Sequence, residues 1–138
     1  MNWLAAIEAI RFGISEGDNL NTSRSNWRKV LRANQPFSKN NREEGFVVQI
    51  GQKQTSNIKI SWTMLEKCFG ALSTEDGYNG VFFRKYFSHQ AELHPCHVHV
   101  VGMIFVKAGI AKYIGNGSYF ILYVPVKEGE HSFFDKKI

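Results

Sequence analysis

Six basic side chains, Arg24, Arg28, Lys29, Arg32, Lys39 and Arg42, fall between Asn21 and Arg42 with no acid among them. Guanidinium and ammonium groups are the partners that phosphate oxygens require. The remainder of the chain carries eleven basic and twelve acidic residues, so this one segment supplies the whole positive excess of a formal net charge of +5. Charge gathered in one place is an electrostatic footprint for phosphate or an acidic partner, whereas evenly spread charge would serve only solubility. A solvated face with no partner would read the same way.

A second cluster offers different chemistry. His89, His94, Cys96, His97 and His99 lie within eleven residues, and imidazole and thiolate are good zinc ligands. A tetrahedral site normally draws two close pairs separated by a longer span, and this cluster stands alone. A polar helix start with partly buried rings is the expectation, with no bound metal and no cofactor. Catalytic patterns are missing as well. No serine or cysteine elbow occurs; the acidic pairs Glu43-Glu44 and Glu75-Asp76 sit in turns; the glycine stretches "GDNLNTS" and "GQKQTS" have no phosphate-cradling lysine pattern. The chain is not expected to be an enzyme.

The elements that would hold these groups can be read from periodicity. Asn2 can cap a helix over residues 2–12, with Trp3, Leu4, Ile7 and Ile10 as its apolar stripe. From Ser23 or Ser25 a short helix is expected, ending before Pro36, with Trp27, Val30 and Leu31 inward and Arg24, Arg28 and Arg32 stacked at spacing four on another face; an extended segment is the alternative. Phe46 to Ile50 and Asn57 to Ile60 read as two strands about a polar turn. Ser61 then caps "SWTMLEKCFGAL", whose Trp62, Leu65, Cys68, Phe69 and Leu72 form an apolar helical stripe. Asn79 can cap a short helix "GVFFRKYF", followed by a polar link, "SHQAELH". Pro95 and Gly109 frame a further helix. The chain then passes through "IAKYI", turns at Gly115-Asn116-Gly117 and returns through "SYFILYV"; Asn-Gly between strand-like runs is a strong hairpin signal, because both central residues of a primed turn need positive φ.

Composition sets limits. The 138 residues suffice for one domain, 43% hydrophobic and 21% charged, a balance that suits a folded soluble chain. No apolar run nears the 18 or so residues of a membrane span, "MNWLAAIEAIRFG" does not read as a secretory signal, and Cys68 and Cys96 fall in apolar helical patterns as reduced thiols would. A cytoplasmic location without membrane contact is expected. The division expected is an N-terminal helix, basic element and small hairpin over 1–60, a second unit over 61–124 and a polar tail over 125–138, together an α+β fold.

Residues 61–124 thus run helix, helix, helix, strand, turn, strand, and "KAGIAKYIGNGSYFIL" joins a helix ending at a glycine to two strands. This order resembles the winged helix-turn-helix superfamily. The resemblance implies a three-helix core whose third helix enters the major groove while the hairpin, or wing, touches backbone or minor groove. It also implies that Val98, Val101, Gly102 and Phe105 face the core, Gly102 admitting an earlier helix, while His97, His99, Val100, Met103, Val106 and Lys107 face outward. The expected function is double-stranded DNA binding, as a regulator or as the target-reading part of a phage, mobile-element or restriction-type system. Arg24, Arg28, Lys29 and Arg32, with Lys112, Asn116 and Ser118 of the wing, would hold the backbone; His97, His99 and Lys107 would face the bases. Six phosphate contacts would give a salt slope of about −5. The competing expectation is a protein-interaction module, homodimer or inhibitor of a nucleic-acid enzyme that uses the apolar outer residues of the third helix.

Overall fold

The computed structural model describes residues 1–21, 27–51 and 56–122. Its elements are α1 (Trp3–Gly13), β1 (Arg28–Pro36), β2 (Glu44–Ile50), β3 (Ser56–Ser61), α2 (Trp62–Ala71), α3 (Gly80–Tyr86), α4 (Ser88–Leu93), α5 (His97–Lys107), β4 (Ala111–Gly115) and β5 (Ser118–Ile121). The fold is α+β, with an antiparallel sheet in the order β1-β2-β3 and a separate β4-β5 hairpin.

Local signals place most boundaries. The Asn2 side chain accepts from the Ala5 N–H at 2.8 Å, Ser61 from Met64 at 3.0 Å and Asn79 from Phe82 at 3.1 Å, so three helices begin at capping residues. Gly109, with φ +77°, ends α5 in the left-handed conformation that glycine adopts at no steric cost. Asn116 and Gly117, at φ 53° and 75°, form the two-residue turn joining Gly115 to Ser118.

One expected helix is a strand. Residues 28–36 pair with β2, from Arg28 opposite Ile50 to Pro36 opposite Glu44, with irregularities between Val30 and Arg32 and between Ala33 and Gln35. The cause lies in β2: its Phe46, Val47 and Val48 are all buried, so it needs a neighbour on each side, and pairing outweighs the modest helix preference of "RKVLRANQP". Of the three residues expected inward, Val30 is buried, Leu31 half-buried and Trp27 exposed. Nor is "SHQAELH" a plain link, since Ser88–Leu93 is helical, with Ala91 turned into the core.

The two halves share one core. Ring contacts run from Trp3 of α1 to Trp62 and Phe69 of α2, from Trp62 to Phe46 of β2 and from Phe69 to Phe105 of α5, at centroid separations of 5.4 to 6.3 Å. At Gly13 a Cβ would lie 2.9 Å from Ala108 Cα, so glycine permits α1 to cross close to the end of α5.

α5 departs furthest from expectation. His97, Val98, Val100, Val101, Gly102, Ile104 and Phe105 are all buried, while His99, Met103 and Val106 are half-buried and Lys107 alone in the helix is exposed. The outward assignments of His97 and Val100 are therefore corrected. Pro95 precedes the helix instead of opening it, since α5 starts at His97. A helix apolar on nearly every side belongs inside a protein, and this one is flanked by α1, α4, β3 and β4. The element that approaches at Gly102 is the Tyr119 ring of β5, which a Cβ there would strike.

Candidate functional site

The register of the three-stranded sheet fixes what it shows to solvent. Val30, Phe46, Val48, Ile58 and Ile60 point into the core. Side chains alternate along a strand, so their neighbours point away. Two cross-strand rows result: Lys29, Gln49 and Asn57 in one, and Arg32, Val47 and Lys59 in the next. Lys29, Arg32, Asn57 and Lys59 are exposed. The rows lie about 7 Å apart along the strands, and the outer strands are about 10 Å apart across the sheet. Three cations thus share one face a few residues wide, and no carboxylate stands in either row. Lys59 Nζ sits 5.9 Å from the Phe37 ring centroid, which helps to hold it in place.

Beside the first row, β1 is bonded on its other edge by the segment 17–20. Gly17 and Leu20 N–H groups donate to Val30 and Arg28 carbonyls at 2.7 Å, and the Val30 N–H donates to the Asp18 carbonyl at 2.8 Å. This edge and the sheet end frame a polar cleft lined in part by Trp27, Arg28, Lys29 and Gln49. Arg28 is only 9% exposed, and its Nη1 has no hydrogen-bond partner among the described residues. A buried guanidinium with an unsatisfied nitrogen is costly. Its charge is felt by Cys96 and Tyr119. Burial pushes the Cys96 thiol above its usual value and Arg28 pulls it part of the way back. Tyr119 is raised to about 12 by burial and by Tyr113, against the same pull.

The hairpin forms a second polar region. His99 Nδ1 and the Tyr119 hydroxyl share a 2.9 Å hydrogen bond, and the Tyr113 hydroxyl accepts from the Gly117 N–H at 3.0 Å. His99, Asn116 and Ser118, with Arg84 and Asn79, line a cleft of about 340 Å3 between the hairpin turn and the starts of α3 and α5. The residues singled out from sequence are therefore spread over several places. Arg28, Lys29 and Arg32 lie on β1. His99, Asn116 and Ser118 meet at the hairpin cleft, Lys112 is exposed on β4 and Lys107 is exposed at the end of α5. His97 is 4% exposed, stacked on Phe83 at 5.7 Å, with its Nδ1–H donating to the His94 carbonyl at 2.9 Å. Burial holds its pKa below the ordinary histidine value. Arg24 lies outside the described residues.

The cysteines and histidines are likewise dispersed. His94 and His97 are 6.1 Å apart by ring centroid, whereas His99 turns to the hairpin; among the described residues no group of three or more His, Cys, Asp or Glu could hold a metal ion. Cys68 lies in the core, its thiol pushed to about 12 by burial.

Lys59, Asn57 and Gln49 were not among the residues expected to act. The alternation in Asn57-Ile58-Lys59-Ile60 carries the signal, for a strand that buries both isoleucines must show the lysine to solvent. Comparison of the chain with protein families, curated proteins and solved structures finds no match.

Proposed function

We propose that the protein binds nucleic acid, double-stranded DNA in the first instance, through backbone contacts made by the outer face of the β1-β2-β3 sheet. The observation that carries this reading is the two-row arrangement of Lys29, Arg32 and Lys59 with Asn57 on one exposed face. Cations held on a rigid sheet meet phosphates at little entropic cost, and the amide beside them can add hydrogen bonds to backbone oxygens. Such contacts position the partner without reading its sequence.

Helices α2, α3 and α5 followed by the hairpin keep the winged-helix order, with α4 inserted. In this reading that unit is the scaffold, because α5 has only Lys107 fully in solvent. A recognition helix must offer several polar side chains to base edges. The test is retention of a random-sequence duplex in an electrophoretic shift. The Lys29→Ala/Arg32→Ala/Lys59→Ala protein should lose binding, and a Lys107→Ala/Lys112→Ala protein should keep most of it. Equal binding by the wild type and the triple variant would refute the proposal.

A second reading, a protein-interaction module, finds support on a surface other than α5. Leu4 and Phe12 of α1 are 73% and 85% exposed. That reading predicts concentration-dependent association that Phe12→Ser abolishes, read by sedimentation.

A further inference from the structure

We propose that the cleft at the Trp27 end of the sheet receives one unstacked nucleotide, its base lying against the Trp27 indole and its phosphate beside Lys29. This rests on the nucleic-acid reading above. The cleft has a volume of about 500 Å3 and is walled by Asn19, Asn21, Trp27, Arg28, Lys29 and Gln49, within the size range of small-ligand sites.

Three kinds of group meet there. Trp27 is 42% exposed, although the molecule packs its other two indoles, Trp3 and Trp62, edge to face. An indole in water offers a flat face on which any base can stack. Asn19 and Asn21 bring amides that both donate and accept, as a sugar hydroxyl or a base edge requires. Lys29 brings positive charge, with no acid among the described residues that line the cleft.

The walls are pinned by backbone bonds. The Gly51 N–H donates to the Trp27 carbonyl at 3.1 Å, the Leu20 N–H donates to the Arg28 carbonyl, and Asn19 bridges to Lys29. The cleft also continues the basic face, because Lys29 and Gln49 belong both to it and to the first row of the sheet. A strand whose phosphates lie along Arg32, Lys59 and Lys29 reaches Trp27 next. A base stacked within a duplex cannot meet the indole, so the site selects a nucleotide that is unpaired or turned out of the helix.

The experiment compares three forms of one duplex with the full chain: intact, carrying a single unpaired dT, and carrying an abasic unit in place of that dT. The expected result is that the wild type binds the unpaired dT roughly tenfold more tightly than the abasic form, the scale of one stacked base. Trp27→Ala should abolish that preference while leaving binding to the intact duplex unchanged, and Trp27→Phe should retain most of it. Equal affinity of the wild type for dT and abasic probes, or a preference that survives Trp27→Ala, would overturn the inference and leave the sheet-face proposal standing. Failure of the wild type to bind any of the three would overturn both.

Discussion

The three-stranded sheet and the β4-β5 hairpin both pack on the core around α5, yet they deal with polarity in opposite ways. The hairpin turns its Tyr119 inward, across Gly102, where the hydroxyl meets His99 and the backbone pairs with Tyr78. The sheet turns Val30, Val48, Ile58 and Ile60 inward and leaves Lys29, Arg32 and Lys59 in water. The hairpin ties the Tyr119 hydroxyl into an internal bond with His99, whereas the sheet holds three cations on an exposed face. The difference teaches where to look for stability and where to look for binding: interior polar contacts hold a structure together, whereas exposed like charges on a rigid face favour an outside partner.

The largest expected effect lies on the hairpin side. Tyr119→Ala should cost about 3–5 kcal/mol of stability, since it empties the space over Gly102 and removes the hydroxyl bonded to His99. Denaturant unfolding checks this, and a loss below about 1 kcal/mol would show that the ring is not a keystone. Gly102→Leu should be destabilising for the opposite reason, by forcing side chain into the Tyr119 ring.

The next effect is a pH dependence confined to α5. His97 has its folded pKa lowered from 6.5, first by burial. The unfolded chain therefore takes up a proton more readily, so the contribution is complete above about pH 6.5 and is lost as pH falls through that value toward the folded pKa. Urea midpoints at pH 7.5 and pH 5.5 should differ for the wild type, and the gap should narrow in His97→Gln. An unchanged gap would assign the acid sensitivity to other groups.

A smaller loss, about 1 kcal/mol, is expected from Asn79→Ala, which removes the cap on the Phe82 N–H at the start of α3. Smallest of all should be the stability changes on the sheet face. Lys29→Ala and Arg32→Ala should each move stability by no more than about 0.5 kcal/mol, because exposed charged side chains contribute little, and Lys59→Ala, which also gives up its contact with the Phe37 ring, by no more than about 1 kcal/mol. A loss of 2 kcal/mol at any of them would erase the contrast between the two regions.

What could be read from the sequence was whatever the chain decides locally. The Asn2, Ser61 and Asn79 caps, the Gly109 stop and the Asn116-Gly117 turn each depend on a few neighbouring residues, and each stands where the spacing indicates. Residues 28–36 were decided by a partner instead: β2 is apolar on both faces and recruits them as a strand, whatever their own preference. With that change Arg28 leaves the side of Lys29 and Arg32, since neighbours in a strand face opposite ways, whereas the helix would have stacked Arg28 with Arg32. The burial of α5 overturns the groove-reading helix expected there, although its composition carried the signal. Val98, Val100, Val101, Ile104 and Phe105 surround the helix and Lys107 is its one formal charge, which is the mark of an interior helix and not of a groove-reading one. The pairing of Lys59 with Arg32 across Val47 was not legible, because register is a property of two strands together.

Under the proposed function the sheet face, and not α5, meets the phosphates. The most direct test is the slope of log affinity against log salt for a duplex between 50 and 200 mM, measured for the wild type and for Lys29→Ala/Arg32→Ala/Lys59→Ala. The slope should become shallower by about three in the triple variant, close to one ion released per cation removed. An unchanged slope in a triple variant that remains folded would contradict the proposal.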